Sequence, residues 1–356
     1  MTSVTANGSR LRIPLEIELL WLARSDARGV PLAGRLQEIA ALRGVGARDV
    51  SLGRLYEGHV NGVQLVARCG TAAQRVALER DLADGLVFGV WNTQDEDGVR
   101  IEDAGAGRYV LSGAKTWASG AGRIERPIVT AQWPDGGVRM CLVPMDRVRT
   151  AIDGSAWRPL GMHDSQSFRV DFDGVTLAAD DLIGDDGDYE RQPWFFAGAL
   201  RYVAVQTGVI ERLVTETAAY LLERRRDGDP FQRVRLAEMR IAARTALQWL
   251  AAGAAAWTSF DAERSESSAA EVIDVVDMAR SVVDRAARET IDLAVRCVGA
   301  RGLVEPLPFA RLVRDLEMYL RQPAPDAALV RVGVAAFREV ASARNAAIAS
   351  STGTGA

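Results

Sequence analysis

Residues 107–121 read GRYVLSGAKTWASGA, and the reading of this stretch decides the rest. Tyr109 and Leu111 alternate with Val110 and Ser112, Gly113 offers a turn, and Lys115, Trp117 and Ser119 continue the run until Gly120 breaks it. A period of two on both sides of a glycine predicts a β-hairpin. Trp117 and Ser119, two residues apart, are expected on one face of a strand. Such a face can stack against a planar ring and donate a hydrogen bond to the ring's edge. It can equally belong to a strand whose tryptophan fills a core, which is the commoner use of a large indole.

Away from this stretch the periodicity changes in both directions. Towards the N-terminus the chain reads as helices: Leu15, Ile17, Leu19, Leu20 and Leu22 crowd one stretch, Leu36, Ile39, Ala40 and Leu42 recur at helical spacing, and 52–67 is a further apolar-periodic run. Thr71 caps the segment AAQRVALERDLADG, which Gly85 closes. From residue 86 to about residue 189 the runs VFGVWNT (87–93), RPIVTAQW (126–133), VRMCLVP (138–144) and SFRVDFDGVTL (167–177) read as short strands of a compact β-barrel or sandwich. Beyond Pro193 the segments 195–224, 233–260, 269–297 and 309–320 are rich in Ala, Leu and Val and laced with Arg and Glu, as in an antiparallel helical bundle. The expected fold is therefore mainly α with a central β-domain. Its divisions are an N-terminal helical domain at 1–84, a middle β-barrel domain at 85–190, a C-terminal four-helix bundle at 191–348 and a flexible tail at 349–356.

Composition excludes several classes of function. The chain has 356 residues, is 48% hydrophobic and 25% charged, and carries a net charge of −4, as an ordinary globular protein does. Lys115 is the only lysine, so every other basic residue is an arginine, and the arginines interleave with Asp and Glu in the pattern of solvated helix faces. Nothing in this balance calls for a nucleic-acid partner. Cys69, Cys141 and Cys297 are odd in number and far apart, which suits a reducing cytoplasm better than a disulfide framework. No signal core or membrane-length apolar run is present, and His59 and His163 have no metal-ligand spacing, so no metal site is expected.

Several motifs, taken in order, resemble the acyl-CoA dehydrogenase family, in which a helical domain, a middle β-domain and a C-terminal four-helix bundle follow one another. GTAAQRVALERDLADG is similar to the family's GTxxQKxxxLPxLAxGE, and LSGAKTWASGA to its LxGxKxWITxGxxA. WRPLGMHDSQSFRVDFDGV resembles LGMRxSxSxxVxFxxVxVP, and LIGDDGDY follows where the family has LxGxxGxG. YLLERRRDGDPF resembles YxxxRxxFGxPI, and VGARGLVEPLPFARLVRDLEMY resembles GGxGYxxxxPxxRxxRDxxxxxI. The matches run from Gly70 to Tyr319.

The resemblance implies bound FAD. Trp117 would stack on the flavin ring, and Ser119, where the family has Thr, would bond near its N5 edge. Trp91 and Thr93 stand where the family's TEP run lines the pyrimidine end, although the TEP signature is missing. Arg224 falls on the arginine that in the family reaches the FAD diphosphate of a neighbouring subunit, a task that suits a guanidinium's charge-assisted donors. Asp227 replaces that pattern's Phe, and Phe231 takes its aliphatic position. Arg296 and Gly299 match the QxxGG stretch near the adenosine, with Arg in place of Gln. Read without the resemblance, Arg224 is a surface helix arginine. A site shared across subunits implies a homodimer or homotetramer.

The family's base is missing. Its reaction needs a carboxylate to take the α proton of an acyl thioester, and Pro323 stands at the place of the usual glutamate in MYLRQPAPDAAL. The other location used by relatives aligns near Gly198, and no carboxylate occurs between Arg191 and Ile210. Asp326 and Glu317 are near in sequence, but Asp315 and Glu317 are more simply read as helix-surface partners of Arg311, Arg314 and Arg321. No catalytic residue is therefore assigned. The expected function is an FAD-dependent oxidoreductase acting on a small molecule, with α,β-dehydrogenation of an acyl-CoA or carrier-bound thioester placed first. The alternatives are a flavin monooxygenase of the N- or S-hydroxylase kind on the same scaffold, whose members also lack the glutamate, and a non-catalytic FAD-binding homologue.

Overall fold

The computed structural model describes residues 32–352, apart from 95, 97, 147–150 and 322–323. The apolar stretch at 15–22, Pro323 and the end of the polar tail lie outside the described residues. Contacts gather the described chain into two compact units, 51–191 and 32–50 together with 192–352. The three-domain division at residues 84 and 190 remains a proposal about folding units.

In the first unit, helix α2 (Val50–Cys69) and helix α3 (Ala72–Ala83) precede ten strands. The start of α3 is fixed by Gln74. Thr71 Oγ1 accepts its N–H, and its own Oε1 accepts the Thr71 N–H at 2.8 Å, so two donors that a helix start leaves open are satisfied at once. The Gln74 amide then donates to the Asp180 and Leu182 carbonyls at 2.8 and 2.7 Å. At the other end the N–H groups of Gly85 and Leu86 close back on Leu82 and Asp81, as the glycine signal predicts.

The strands are β1 (Phe88–Trp91), β2 (Arg100–Gly105), β3 (Arg108–Ser112), β4 (Ala114–Ala118), β5 (Arg126–Gln132), β6 (Val138–Leu142), β7 (Ala151–Asp153), β8 (Phe168–Asp171), β9 (Val175–Ala178) and β10 (Leu182–Ile183). Seven form one sheet, ordered β10-β6-β5-β2-β3-β9 with β1 parallel to β5, and three form a second, ordered β4-β8-β7. The expected hairpin at Gly113 is corrected here. β3 pairs with β2 and β9, whereas β4 pairs with β8 in the other sheet, so Gly113 is a corner between sheets. Trp91, Ile101, Leu111, Val129, Cys141, Val170 and Phe172 fill one core between strands. Val63, Val66, Leu78, Phe88, Ile128 and Met140 form a second core.

Lys115 is fully buried in the first unit. Its amine donates to the Gln94 Oε1 at 2.6 Å, the Thr130 Oγ1 at 3.0 Å and the Asn92 carbonyl at 3.1 Å, all of them neutral acceptors. Thr130 passes its own proton to Asn92 Oδ1 at 2.7 Å. Three acceptors match the three donors of an ammonium, and the result fastens the segment after β1 to β4.

The second unit holds helices α1 (Leu32–Arg48), α4 (Trp194–Ala197), α5 (Leu200–Glu223), α6 (Pro230–Glu263), α7 (Glu266–Gly302), α8 (Phe309–Tyr319) and α9 (Pro325–Thr352). α5 is buried over most of its length and packs on α1, α6 and α7. Where α1 crosses α5 two glycines face the opposing backbone: a Cβ on Gly46 would strike the Val205 carbonyl, and one on Gly208 the Arg43 carbonyl. The close approach admits only glycine at both positions. The helix reading of the sequence agrees with α5 to α9, but the solvated-face reading of the arginines needs correction. Arg35, Glu38, Arg201 and Asp261 are all buried; Arg35 is ion-paired to Asp261, Arg201 reaches Glu38 at 3.0 Å, and Arg35 lies over the Trp257 ring at 4.6 Å. Asp277, also buried, receives both arms of Arg331 at 2.6 and 2.9 Å. Among the described residues no helix is long and apolar enough to cross a membrane.

Burial pulls the Lys115 amine down from an ordinary 10.5 to about 8. Between those values the unfolded chain holds a proton that the folded chain has released, so stability rises with pH through this window. Relative to Lys115→Met, the wild-type protein should gain about 2 kcal/mol of unfolding free energy between about pH 8 and about pH 9.5, read from denaturant melts. A difference that does not change with pH would mean that the amine keeps its charge there.

Candidate functional site

β4 does not run straight. Its pairing with β8 shifts register between Lys115 and Ala118, and Trp117 within that bulge takes a left-handed backbone with φ of 55°. A bulky residue in this region is strained, and the bulge re-aims its side chain. Trp117 is 54% exposed, whereas its neighbour Ala118 is fully buried. The edge of the indole meets Trp157 at a centroid distance of 5.6 Å and an angle of 86°, and Trp157 is itself held by its Nε1 donating to the His163 carbonyl at 3.0 Å. Trp117 is therefore propped from one side and open on the surface.

Ser119 sits beside it, half-buried. Its carbonyl accepts from Trp91 Nε1 at 3.0 Å, and its hydroxyl lies 2.9 Å from the Ser167 hydroxyl, which lies 3.0 Å from that of Ser165. The Gly120 and Ala121 N–H groups donate to the Ser165 and Gln166 carbonyls at 2.7 and 3.3 Å, docking the end of β4 on the turn 162–166. That turn contains two more non-glycine residues in left-handed conformations, Met162 and Gln166, with φ of 58° and 44°. Three strained residues thus surround one surface, a concentration typical of functional sites.

The other expected ring contacts fall in two classes. Trp91 is 1% exposed, packed in the core against Phe172 at 6.3 Å, so it supports Ser119 from beneath rather than presenting its ring. Thr93 is exposed, and its carbonyl accepts the Thr116 N–H at 3.1 Å, which lays the segment 92–94 along β4. An exposed indole face with hydroxyls at its border suits a planar heteroaromatic ring with acceptor atoms at its edge. Flavin has that shape, and the residues present fit it.

In the second unit Arg224 caps the end of α5, with its guanidinium 5.3 Å from the Tyr220 ring centroid. Gly299 interrupts α7 with φ of 62° and ψ of −173°, a conformation essentially reserved for glycine. The two positions are brought together: Tyr220 donates its hydroxyl to the Val298 carbonyl at 3.3 Å, and Arg226 donates to the Cys297 carbonyl at 3.4 Å. The kink thus has its open carbonyls satisfied by the end of α5. Phe231 is exposed at the start of α6, which Asp229 caps through the Phe231 N–H at 2.9 Å. Arg296 is exposed and paired with Asp292 at 3.0 Å.

Neither substitute base is presented as one. Glu317 is held by Arg321 at 3.1 Å, and Asp326 is exposed in the first turn of α9. Among the described residues no group of three His, Cys, Asp or Glu could hold a metal ion. Ser165, Ser167 and Trp157 are the site residues that reading by motif left unassigned, although all three lie within one quoted motif, WRPLGMHDSQSFRV.

The C-terminal domain model of the acyl-CoA dehydrogenase family matches residues 195–320. A probable acyl-CoA dehydrogenase of Mycobacterium tuberculosis, FadE2, is 26% identical over 272 residues, which is 70% of this chain and 65% of that protein. The chain thus spans about two thirds of the length of that curated relative. Among solved structures, FMN-bound TdsC of Paenibacillus sp. A11-2, a dibenzothiophene monooxygenase, superposes with a TM-score of 0.78 at 21% identity over 90% of this chain and 88% of its own. Butyryl-CoA dehydrogenase of Megasphaera elsdenii gives 0.76 at 20% identity over 90% and 87%. These likenesses show the fold, and together with the matched C-terminal domain and the curated relatives they support membership of the acyl-CoA dehydrogenase superfamily.

Proposed function

We propose that this protein is a flavin-dependent oxidoreductase that binds FAD and acts on a small molecule. The observation that carries the reading is Trp117, exposed and strained beside the Ser119 hydroxyl. A surface indole in a left-handed conformation contributes nothing to the core, and its free face is the kind of platform on which a ring stacks. The flavin supplies the electron chemistry. The chain's residues bind and orient it: Trp117 and Thr93 flank the ring, Ser119 donates at its edge, and Lys115 fixes the segment bearing Thr93. Arg224, Phe231, Arg296 and Gly299 are the proposed holders of the diphosphate and adenosine of an FAD bound by a neighbouring subunit. Exposed apolar side chains on α6 (Phe231, Val234, Ile241) and α9 (Leu329, Val330, Phe337) support the expected homo-oligomer.

The sequence alone puts α,β-dehydrogenation of an acyl thioester first. The arrangement of carboxylates favours the other reaction, monooxygenation driven by an external reductant and dioxygen, because that chemistry removes no carbon-bound proton. Pro323 replaces the expected base, no carboxylate occurs between Arg191 and Ile210, and Glu317 is engaged by Arg321. Dehydrogenation stands as the second reading, favoured by curated relatives such as FadE2, which is named a probable acyl-CoA dehydrogenase.

Two measurements test this reading. With a panel of acyl-CoA thioesters under anaerobic conditions, the visible flavin band should persist, while an external reductant should bleach it and air should restore it with oxygen uptake. Bleaching by one thioester would establish dehydrogenation instead. Substituting Arg224→Ala should weaken FAD binding by about tenfold and leave FMN binding unchanged. Equal losses for the two cofactors would remove Arg224 from the diphosphate.

A further inference from the structure

The hydroxyls of Ser119, Ser167 and Ser165 form a line running inward from the exposed site, with oxygen separations of 2.9 and 3.0 Å. Ser119 is half-buried, Ser167 is 8% exposed and Ser165 1%. Each hydroxyl has one proton to donate and lone pairs to accept, so the line can be ordered in two ways. Ordered outward, Ser165 donates to Ser167, Ser167 donates to Ser119, and the Ser119 proton is free for an acceptor at the site. Ordered inward, Ser119 donates to Ser167 and Ser167 to Ser165, and the Ser165 proton has nowhere to go. Among the described residues Ser165 Oγ has no partner beyond Ser167. A buried donor without an acceptor is costly, so outward ordering prevails.

We propose that Ser167 and Ser165 are positioning residues that hold Ser119 as a hydrogen-bond donor, so that the site prefers oxidised over reduced flavin. The inference rests on the reading of Trp117 and Ser119 as a flavin site. Oxidised flavin presents an acceptor nitrogen at the edge next to the position proposed for Ser119, whereas reduced flavin presents an N–H there. A donor held in place bonds the first and opposes the second. Because ligand affinity and redox poise are linked, a preference for the oxidised form lowers the potential of the bound cofactor. A low potential suits a site that is re-oxidised readily. Nothing in the packing requires a hydroxyl at residue 167 for the strand to form, since the β8 ladder begins at Phe168.

The test is the ratio of dissociation constants for reduced and oxidised FAD, measured by titrating the apoprotein of each variant under anaerobic conditions. Ser167→Ala should lower that ratio by about tenfold, because Ser119 is then free to turn and accept. For a two-electron couple this corresponds to a rise in potential of about 30 mV. Ser167→Thr, which restores the hydroxyl, should return the ratio to its wild-type value. Ser165→Ala should shift it less, since the buried Ser167 proton then takes over the inner end. An unchanged ratio in Ser167→Ala, with both forms bound and the circular dichroism intact, overturns the relay while leaving the flavin site standing. Failure of the wild-type apoprotein to bind either form overturns both together.

Discussion

A buried ammonium held by three neutral oxygens sets the geometry on which this site depends. Lys115 donates to three neutral oxygens on β5 and on the segment after β1, and in doing so fixes the start of β4. Two residues later the backbone turns left-handed and the strand stops alternating. Without that break the indole of Trp117 would follow the ordinary in-and-out pattern of a strand. With it, Ala118 takes the buried position and the indole remains outside. Desolvation of the only lysine and strain at a tryptophan are both unfavourable taken singly. They persist because the surrounding hydrogen bonds over-determine them, which ties a local cost to the function of the surface they create.

The second unit follows the same logic with different means. Its helices α1 and α5 approach closely where Gly46 and Gly208 remove side chains, and its buried charges Arg35, Arg201 and Asp277 are each met by an opposite charge. The break in α7 at Gly299 is not left open either, since Tyr220 and Arg226 from the end of α5 cap the carbonyls of Val298 and Cys297. The strength of this arrangement is positional. It ties Arg224, stacked on Tyr220, to the helix break that Tyr220 caps.

Local patterning revealed much of this and long-range pairing concealed the rest. The capping box of α3, the core strands β1, β5 and β6 and the long helices were legible because their signals lie within a few residues. The hairpin at Gly113 was misread because strands on both sides of a glycine look alike whether they pair with each other or with β9 and β8. β2 was missed because RIEDAG exposes nearly every side chain, so its composition reads as loop. The buried arginines Arg35 and Arg201 could not be told from surface ones, since interleaving with acids is the same pattern in both settings. Trp117 and Ser119 were marked by their motif, but the left-handed turns at Trp117, Met162 and Gln166 carry no glycine to announce them. The partners Ser165 and Ser167 depend on those turns and so stayed hidden.

The measurement that bears most directly on the central claim is the binding of FAD to the apoprotein and to Trp117→Ala, followed by quenching of flavin fluorescence. If the indole is the platform for the ring, the wild-type protein binds FAD saturably and the variant binds it weaker by about tenfold or more, with its secondary structure unchanged. Equal affinity in the two proteins, or no binding by either, would contradict the account.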